Sequence, residues 1–183
     1  GWLHLAGNES LPWSEALIER YEDEWQWEWL SENESLPWSE ALIESHEDKW
    51  DWMHLTGNES LPWSESLIER YVDKWEWGGR YGLSRNTSLP WSEALIERYA
   101  DKWYWEENTG LSSNVSLPWS EELLERYKDK WDWKELVNNK VVVKVFNSWT
   151  KQEISTALKR IRLAGHIYED DNDDPGYIDE VYF

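Results

Sequence analysis

The 183-residue sequence contains no cysteine, a single methionine and two phenylalanines. The missing cysteines exclude a disulfide framework, a thiol nucleophile and a Cys-based zinc site, and they fit a reducing compartment. No apolar run approaches the roughly 18 residues that a membrane-crossing helix needs, and no signal-peptide pattern opens the chain. A cytoplasmic location without membrane contact is the expectation. Positive charge is also scarce: 18 Lys and Arg stand against 38 Asp and Glu, a net charge of -20 with an isoelectric point near 4.5. Direct contact with nucleic acid or anionic lipid is therefore disfavoured for the chain as a whole, because like charges repel.

What the chain has instead is tryptophan, 18 of them, arranged in a repeat. Five gapless blocks begin LPWSE, at Leu11, Leu36, Leu61, Leu89 and Leu117, and each ends in Trp. Their prolines, Pro12, Pro37, Pro62, Pro90 and Pro118, are spaced 25, 25, 28 and 28 residues apart. A second element links the blocks: Trp-x-Trp, then Leu, a small residue, any residue, and Asn-x-Ser. It reads WQWEWLSENES from Trp25 and WDWMHLTGNES from Trp50, and with three extra residues WEWGGRYGLSRNTS from Trp75 and WYWEENTGLSSNVS from Trp103. The chain opens within this element, as a piece of a longer array would.

Each unit reads as two short helices. Pro12 suits a first helical turn, and Ser14 and Glu15 put an oxygen and a negative charge at the start of helix A. Trp13, Leu17 and Tyr21 recur every fourth residue beside Ile18, which gives one inward stripe. Asp23 is the expected cap of helix B, running from Glu24 to Leu30. Trp25 is expected in the elbow between A and B, and Trp27 against the adjacent unit. Asn33 is expected to end helix B in the left-handed conformation. Helices this short cannot bury their faces alone, so stacking into an α-solenoid of about five two-helix repeats is the expected fold, over residues 1–136. The insertions near Gly78 and Glu106 must lengthen or break helix B. Most Trp belong in the core, with about one per repeat left partly exposed.

The pattern WDWxxLSxN, followed by a leucine, a Trp and an acidic helix, resembles the short Trp-rich tandem repeats of uncharacterised proteins from large DNA viruses and some bacteria. Trp50, Trp52, Leu55, Asn58 and Trp63 stand at matching places, over roughly Trp2 to Leu136. Those repeats usually carry Thr before the helix-A Trp, where this chain has Pro. The resemblance implies a repeat scaffold and no activity.

At Lys134 the composition turns. Residues 134–166 hold seven Lys or Arg and two Glu, and residues 167–183 hold seven acids and no Lys or Arg, which leaves -18 on residues 1–133. Val141–Phe146 (VVVKVF) is dense in β-branched residues and predicts a strand. Thr150 predicts the cap of a helix through Ile154, Leu158 and Ile161 to Gly165, and HIYED and YIDEVYF predict two further strands. Residues 137–183 are thus expected to form a small β-α-β-β cap. ALKRIRLAGHIYED with YIDEVYF also resembles the recognition helix and wing of winged-helix DNA-binding domains, with Lys159, Arg160 and Arg162 where DNA contacts would lie.

No pattern of catalytic or metal-ligating residues stands out. His4, His46, His54 and His166 form no HExxH or His-x-His motif, and DNDDPGYIDE departs from a calcium loop at Pro175 and Tyr182. The Asn-x-Ser triplets at Asn8, Asn33, Asn58, Asn86 and Asn114 meet a glycosylation consensus but read as one structural motif repeated. The Ser-Glu pairs recur identically at helix starts, as caps rather than catalytic pairs. The expected function is a non-catalytic scaffold, without cofactor, that offers a repeated acidic surface to a basic protein or peptide. Its partner-binding residues are Glu19, Glu44, Glu69, Glu97 and Glu125, two places beyond the inward-facing Leu of each helix A. Two alternatives stand beside it: a nucleic-acid mimic that blocks a nucleic-acid-binding protein, and a carbohydrate binder using exposed Trp.

Overall fold

The computed structural model describes residues 5–147, 149–157 and 159–160. Among these residues the regular structure is helical and no strand occurs. In chain order the elements are α1 (Glu15–Arg20), α2 (Trp27–Glu32), α3 (Glu40–Ser45), α4 (Trp52–Gly57), α5 (Glu65–Arg70), α6 (Glu93–Arg98), a 3-10 turn (Leu111–Ser113), α7 (Glu121–Arg126), α8 (Trp133–Asn138) and α9 (Lys140–Phe146). Residues 151–157 and 159–160 are helical as well.

The A helices, α1, α3, α5, α6 and α7, share one local logic. A serine in extended conformation (Ser14, Ser39, Ser64, Ser92, Ser120) precedes each, and its hydroxyl accepts the backbone N–H three residues on, at 3.0–3.2 Å. Such a cap contributes about 1 kcal/mol and fixes the helix start. Pro12 therefore lies two residues ahead of the cap, not in the first turn. Each A helix buries its Ile or second Leu completely: Ile18, Ile43, Ile68, Ile96 and Leu124 are 0% exposed. The chain leaves the helix through a turn in which the N–H of Trp25 bonds to the carbonyl of Tyr21, repeated at Trp50, Trp75, Trp103 and Trp131.

The B helices start later than expected. The cap position is the residue between the paired Trp, Gln26, Asp51 or Asp132, and the Asp51 and Asp132 carboxylates accept backbone N–H groups of the first turn. Asp23 does not cap; its side chain is 96% exposed in the preceding turn. Asn33 and Asn58 do end α2 and α4, but in extended conformation (φ -73, ψ 111 and φ -77, ψ 112), not left-handed. In the two 28-residue units helix B is broken: residues 76–83 form turns, and only the 3-10 turn Leu111–Ser113 remains in the other.

The C-terminal expectation fails in one place. Val141–Phe146 is not a strand but lies within α9. The Asn139 side chain caps that helix by accepting the N–H groups of Val141 and Val142, so the local start signal overrides the β preference of four valines. Val142 is fully buried, Val145 and Phe146 are half-buried and Val143 is exposed, a period of three to four and not of two. Thr150 caps the following helix as expected: its N–H and hydroxyl donate to the Glu153 carboxylate at 2.6 and 2.7 Å, and its hydroxyl oxygen accepts the Glu153 N–H at 3.4 Å. HIYED, YIDEVYF, DNDDPGYIDE, Leu158 and residues 161–165 at the end of that helix lie outside the described residues.

Candidate interaction surface

Most groups that the sequence offers as candidates are consumed in joining one unit to the next. Three Trp recur in every unit, and each donates its indole N–H to a backbone carbonyl at a fixed offset. Trp13 bonds to Asn8 O, Trp25 to Ile18 O and Trp27 to Glu22 O, and the same three bonds return in the following units. Trp25, Trp50, Trp75, Trp103 and Trp131 sit in the elbows at 4–5% exposure. Trp27 meets the next unit edge-on, its ring centroid 4.7 Å from that of Trp50 and 5.2 Å from His46. Trp52, Trp77 and Trp105 repeat that contact with Tyr71 and Trp75, Tyr99 and Trp103, and Tyr127 and Trp131. At the end of the series Trp133 meets Phe146 of α9 instead. Trp29, 43% exposed, is the large outward indole among the described residues.

The asparagines of the Asn-x-Ser triplets are structural. Asn33, Asn58, Asn86 and Asn114 are at most 4% exposed. The Asn58 amide nitrogen donates to Ser31 O at 2.9 Å, its side-chain oxygen accepts the N–H of Ser60, and its backbone carbonyl accepts the indole of Trp63. Asn114 makes the equivalent bonds to Ser84 O, Ser116 N–H and the Trp119 indole. Asn139 continues the series with bonds back to Ser112 O and Asn114 O, although no Ser follows it two residues on. A parallel series of buried hydroxyls, Ser31, Thr56, Ser84 and Ser112, donates within its own unit and accepts the N–H of Asp51, Glu76, Tyr104 and Asp132 from the next.

The surface is organised by two sets of charges. Lys49, Lys74, Lys102 and Lys130 each lie over the Trp of the preceding unit, at 4.9–5.8 Å from Trp27, Trp52, Trp77 and Trp105. They also reach acids of that unit: Glu22 and Asp23, Glu47, Asp73, and Asp101. The second set joins successive A helices. Arg70 spans Glu40 and Glu44 (3.6 Å each), Arg98 reaches Glu65 (3.2 Å) and Arg126 reaches Glu93 (3.0 Å). Neither set was anticipated, though the periodic Lys before each elbow Trp and the Arg closing most A helices were visible in the repeat.

The five predicted partner-binding glutamates are all exposed, at one equivalent place on five A helices. They are not equally free. Glu44 shares Arg70 with Glu40, and Glu125 holds Lys128 at 2.7 Å. The hydrogen bond from Lys128, helped by its charge and that of Arg160, keeps the Glu125 carboxyl below the ordinary glutamate range. Glu19, Glu69 and Glu97 form no ion pair among the described residues.

One cavity of about 600 Å³ opens between α7 and the helical residues 151–157 and 159–160, lined by Glu121, Glu122 and Arg126 on one side and Gln152, Thr156 and Arg160 on the other. Trp133 and Trp149 also line it. No group of three or more metal-ligating side chains gathers among the described residues, and no helix among them is long and apolar enough to cross a membrane. Compared with protein-family profiles, curated proteins and solved structures, the chain matches none of them.

Proposed function

We propose that the chain is a non-catalytic binding scaffold: an α-solenoid whose A helices offer a graded acidic face to a basic protein or peptide. The observation that carries this reading is the disposition of Glu19, Glu69 and Glu97, exposed and without an ion pair among the described residues at one repeated position, on a chain of net charge -20. The bonds that run from each unit to the one before it support a stacked array. Helix α9 and the helix from residue 151 support a cap in which Phe146 covers the last outward Trp, in place of the expected β-containing end. The Trp-rich repeat resemblance accords with a scaffold and adds no chemistry of its own.

The test is a fivefold variant, Glu19, Glu44, Glu69, Glu97 and Glu125 each changed to Gln. Exposed charges contribute little to folding, under about 1 kcal/mol each, so the melting temperature should hardly move. Proteins recovered by affinity capture from the native host should bind the variant more weakly and with a flatter salt dependence, because long-range attraction is what salt screens. Unchanged affinity and unchanged salt slope would remove the reading.

A further inference from the structure

We propose that the notch between α1 and α3, bounded by Glu15, Glu19 and Ser45, receives an arginine side chain from the partner. This deepens the scaffold reading and rests on it for the partner's basic character. At three other junctions of neighbouring A helices the equivalent notch already holds a guanidinium: Arg70 against Glu40 and Glu44, Arg98 against Glu65, Arg126 against Glu93. The molecule thus shows three times that the first of these two carboxylate positions grips a guanidinium, and once, at Arg70, that the second shares it. Between α1 and α3 the gripping residues are present and the arginine is not, because α3 ends in Ser45 where α5, α6 and α7 end in Arg.

Ser45 does not substitute for it. Its hydroxyl is turned to Leu42 O at 3.1 Å and to His46 Nδ1 at 2.8 Å. The next residue changes as well: His46, with its ring 5.2 Å from Trp27, stands where the other units have Tyr. Glu15 and Glu19 are exposed and form no ion pair among the described residues, while the third equivalent acid, Glu22, is already held by Lys49 at 2.8 Å. Arg20, on α1 itself, lies against Tyr21. Arginine is favoured over lysine because all three occupied notches hold a guanidinium, whose fixed planar fork lets Arg70 meet two carboxylates through separate nitrogens.

The probe is a capped peptide of alternating arginine and glycine, titrated at low salt and followed by the amide shifts of Glu15, Glu19 and Ser45, with the lysine-glycine peptide beside it. Ser45→Arg should close the notch, silence those shifts and weaken binding about fivefold, as expected when one exposed pair worth about 1 kcal/mol is lost. Ala94→Arg adds the same charge on an exposed position of α6 and should leave the shifts in place. Arg70→Ser should open a second notch, with new shifts at Glu40 and Glu44. Three outcomes would each overturn the proposal: equal weakening by Ser45→Arg and Ala94→Arg, equal response to the lysine peptide, or no second notch. If Glu69→Gln/Glu97→Gln abolishes binding while Glu15→Gln/Glu19→Gln does not, the acidic face stands and the notch falls. If neither pair matters, the scaffold reading falls with it.

Discussion

The 25-residue and 28-residue units make the same connections by different local structures. In the shorter unit the N–H of Leu55 bonds to Asp51 O four residues back, inside α4. In the longer ones the N–H of Leu83 bonds to Glu76 O and that of Leu111 to Tyr104 O, seven residues back, with no helix between. The hydroxyls follow suit: Thr56 bonds to Trp52 O, and Ser84 and Ser112 bond to Trp77 O and Trp105 O. Three inserted residues are looped out while both ends of helix B stay where the neighbouring units need them. The Trp, Leu, hydroxyl and Asn positions, and not the helix, are what the packing requires.

The largest effect should come from an asparagine, and it should be the same in both kinds of unit. Asn58→Ala and Asn114→Ala each leave a buried carbonyl of the previous unit and a turn N–H without a partner, a loss of about 3 kcal/mol in urea denaturation. A cost confined to the shorter unit would mean that helix B, not the asparagine, carries the junction.

Next come the loops. A Cβ at Gly82 or Gly110 would collide with the carbonyl oxygen of Gly78 or Glu106, so either change to Ala should cost about 2 kcal/mol. The loops differ at their tips, where Gly79 adopts φ 76 and Glu107 adopts φ 58. Glu107→Gly should therefore stabilise by about 0.5–1 kcal/mol, because a left-handed backbone is strained for any residue with a side chain. Removing Glu106, Glu107 and Asn108 should convert the long unit to a short one, with more helical circular dichroism and no loss of cooperative unfolding. A deletion that unfolds the chain would break the equivalence.

The smallest effect concerns pH and separates the repeats from the C-terminal helix. The A helices start on serine hydroxyls, which do not titrate in the accessible range. The helix from residue 151 starts on Thr150 and Glu153, and the hydrogen bond from the Thr150 hydroxyl, then that from its backbone N–H, hold the Glu153 carboxyl below the ordinary range. A depressed carboxylate contributes stability that is fully present above its unfolded-state value and is lost as pH falls through the folded one. Hydrogen exchange should therefore show this helix loosening in mild acid while α5 and α6 stay protected, and Glu153→Gln should remove the difference between neutral and acid pH.

Much of this was legible in the sequence. Ser14 and its counterparts announced the A helices, and the elbow and inter-unit roles of Trp25 and Trp27 followed from their spacing. Helix B was misplaced because Asp23 looks a better cap than Gln26, the residue that holds the cap position in the same unit without a side-chain bond. The boundary drawn at residue 136 followed the change in charge, although Trp131, Trp133, Leu136 and Asn139 repeat the spacing of Trp50, Trp52, Leu55 and Asn58. Four valines concealed α9, since β propensity reports fit to a half-buried sheet and says nothing when a capping side chain lies just ahead. The five glutamates were found by position, but their inequality depends on which arginine lands beside which carboxylate, a tertiary matter.

Most of the bonds between units run one way, with the Glu107 N–H, which donates forward to Asp132, as an exception. Asn58 donates back to Ser31 and Asn33, Asp51 donates back to Ser31, and Lys74 and Arg70 reach back to acids of the unit before. The polar groups that a unit borrows through these bonds have already been synthesised when its own side chains emerge from the ribosome, and its buried asparagine waits only for the turn N–H two residues on, that of Ser60 for Asn58. Such a chain can fold in the order in which it is made, each finished unit serving as the template on which the following one closes.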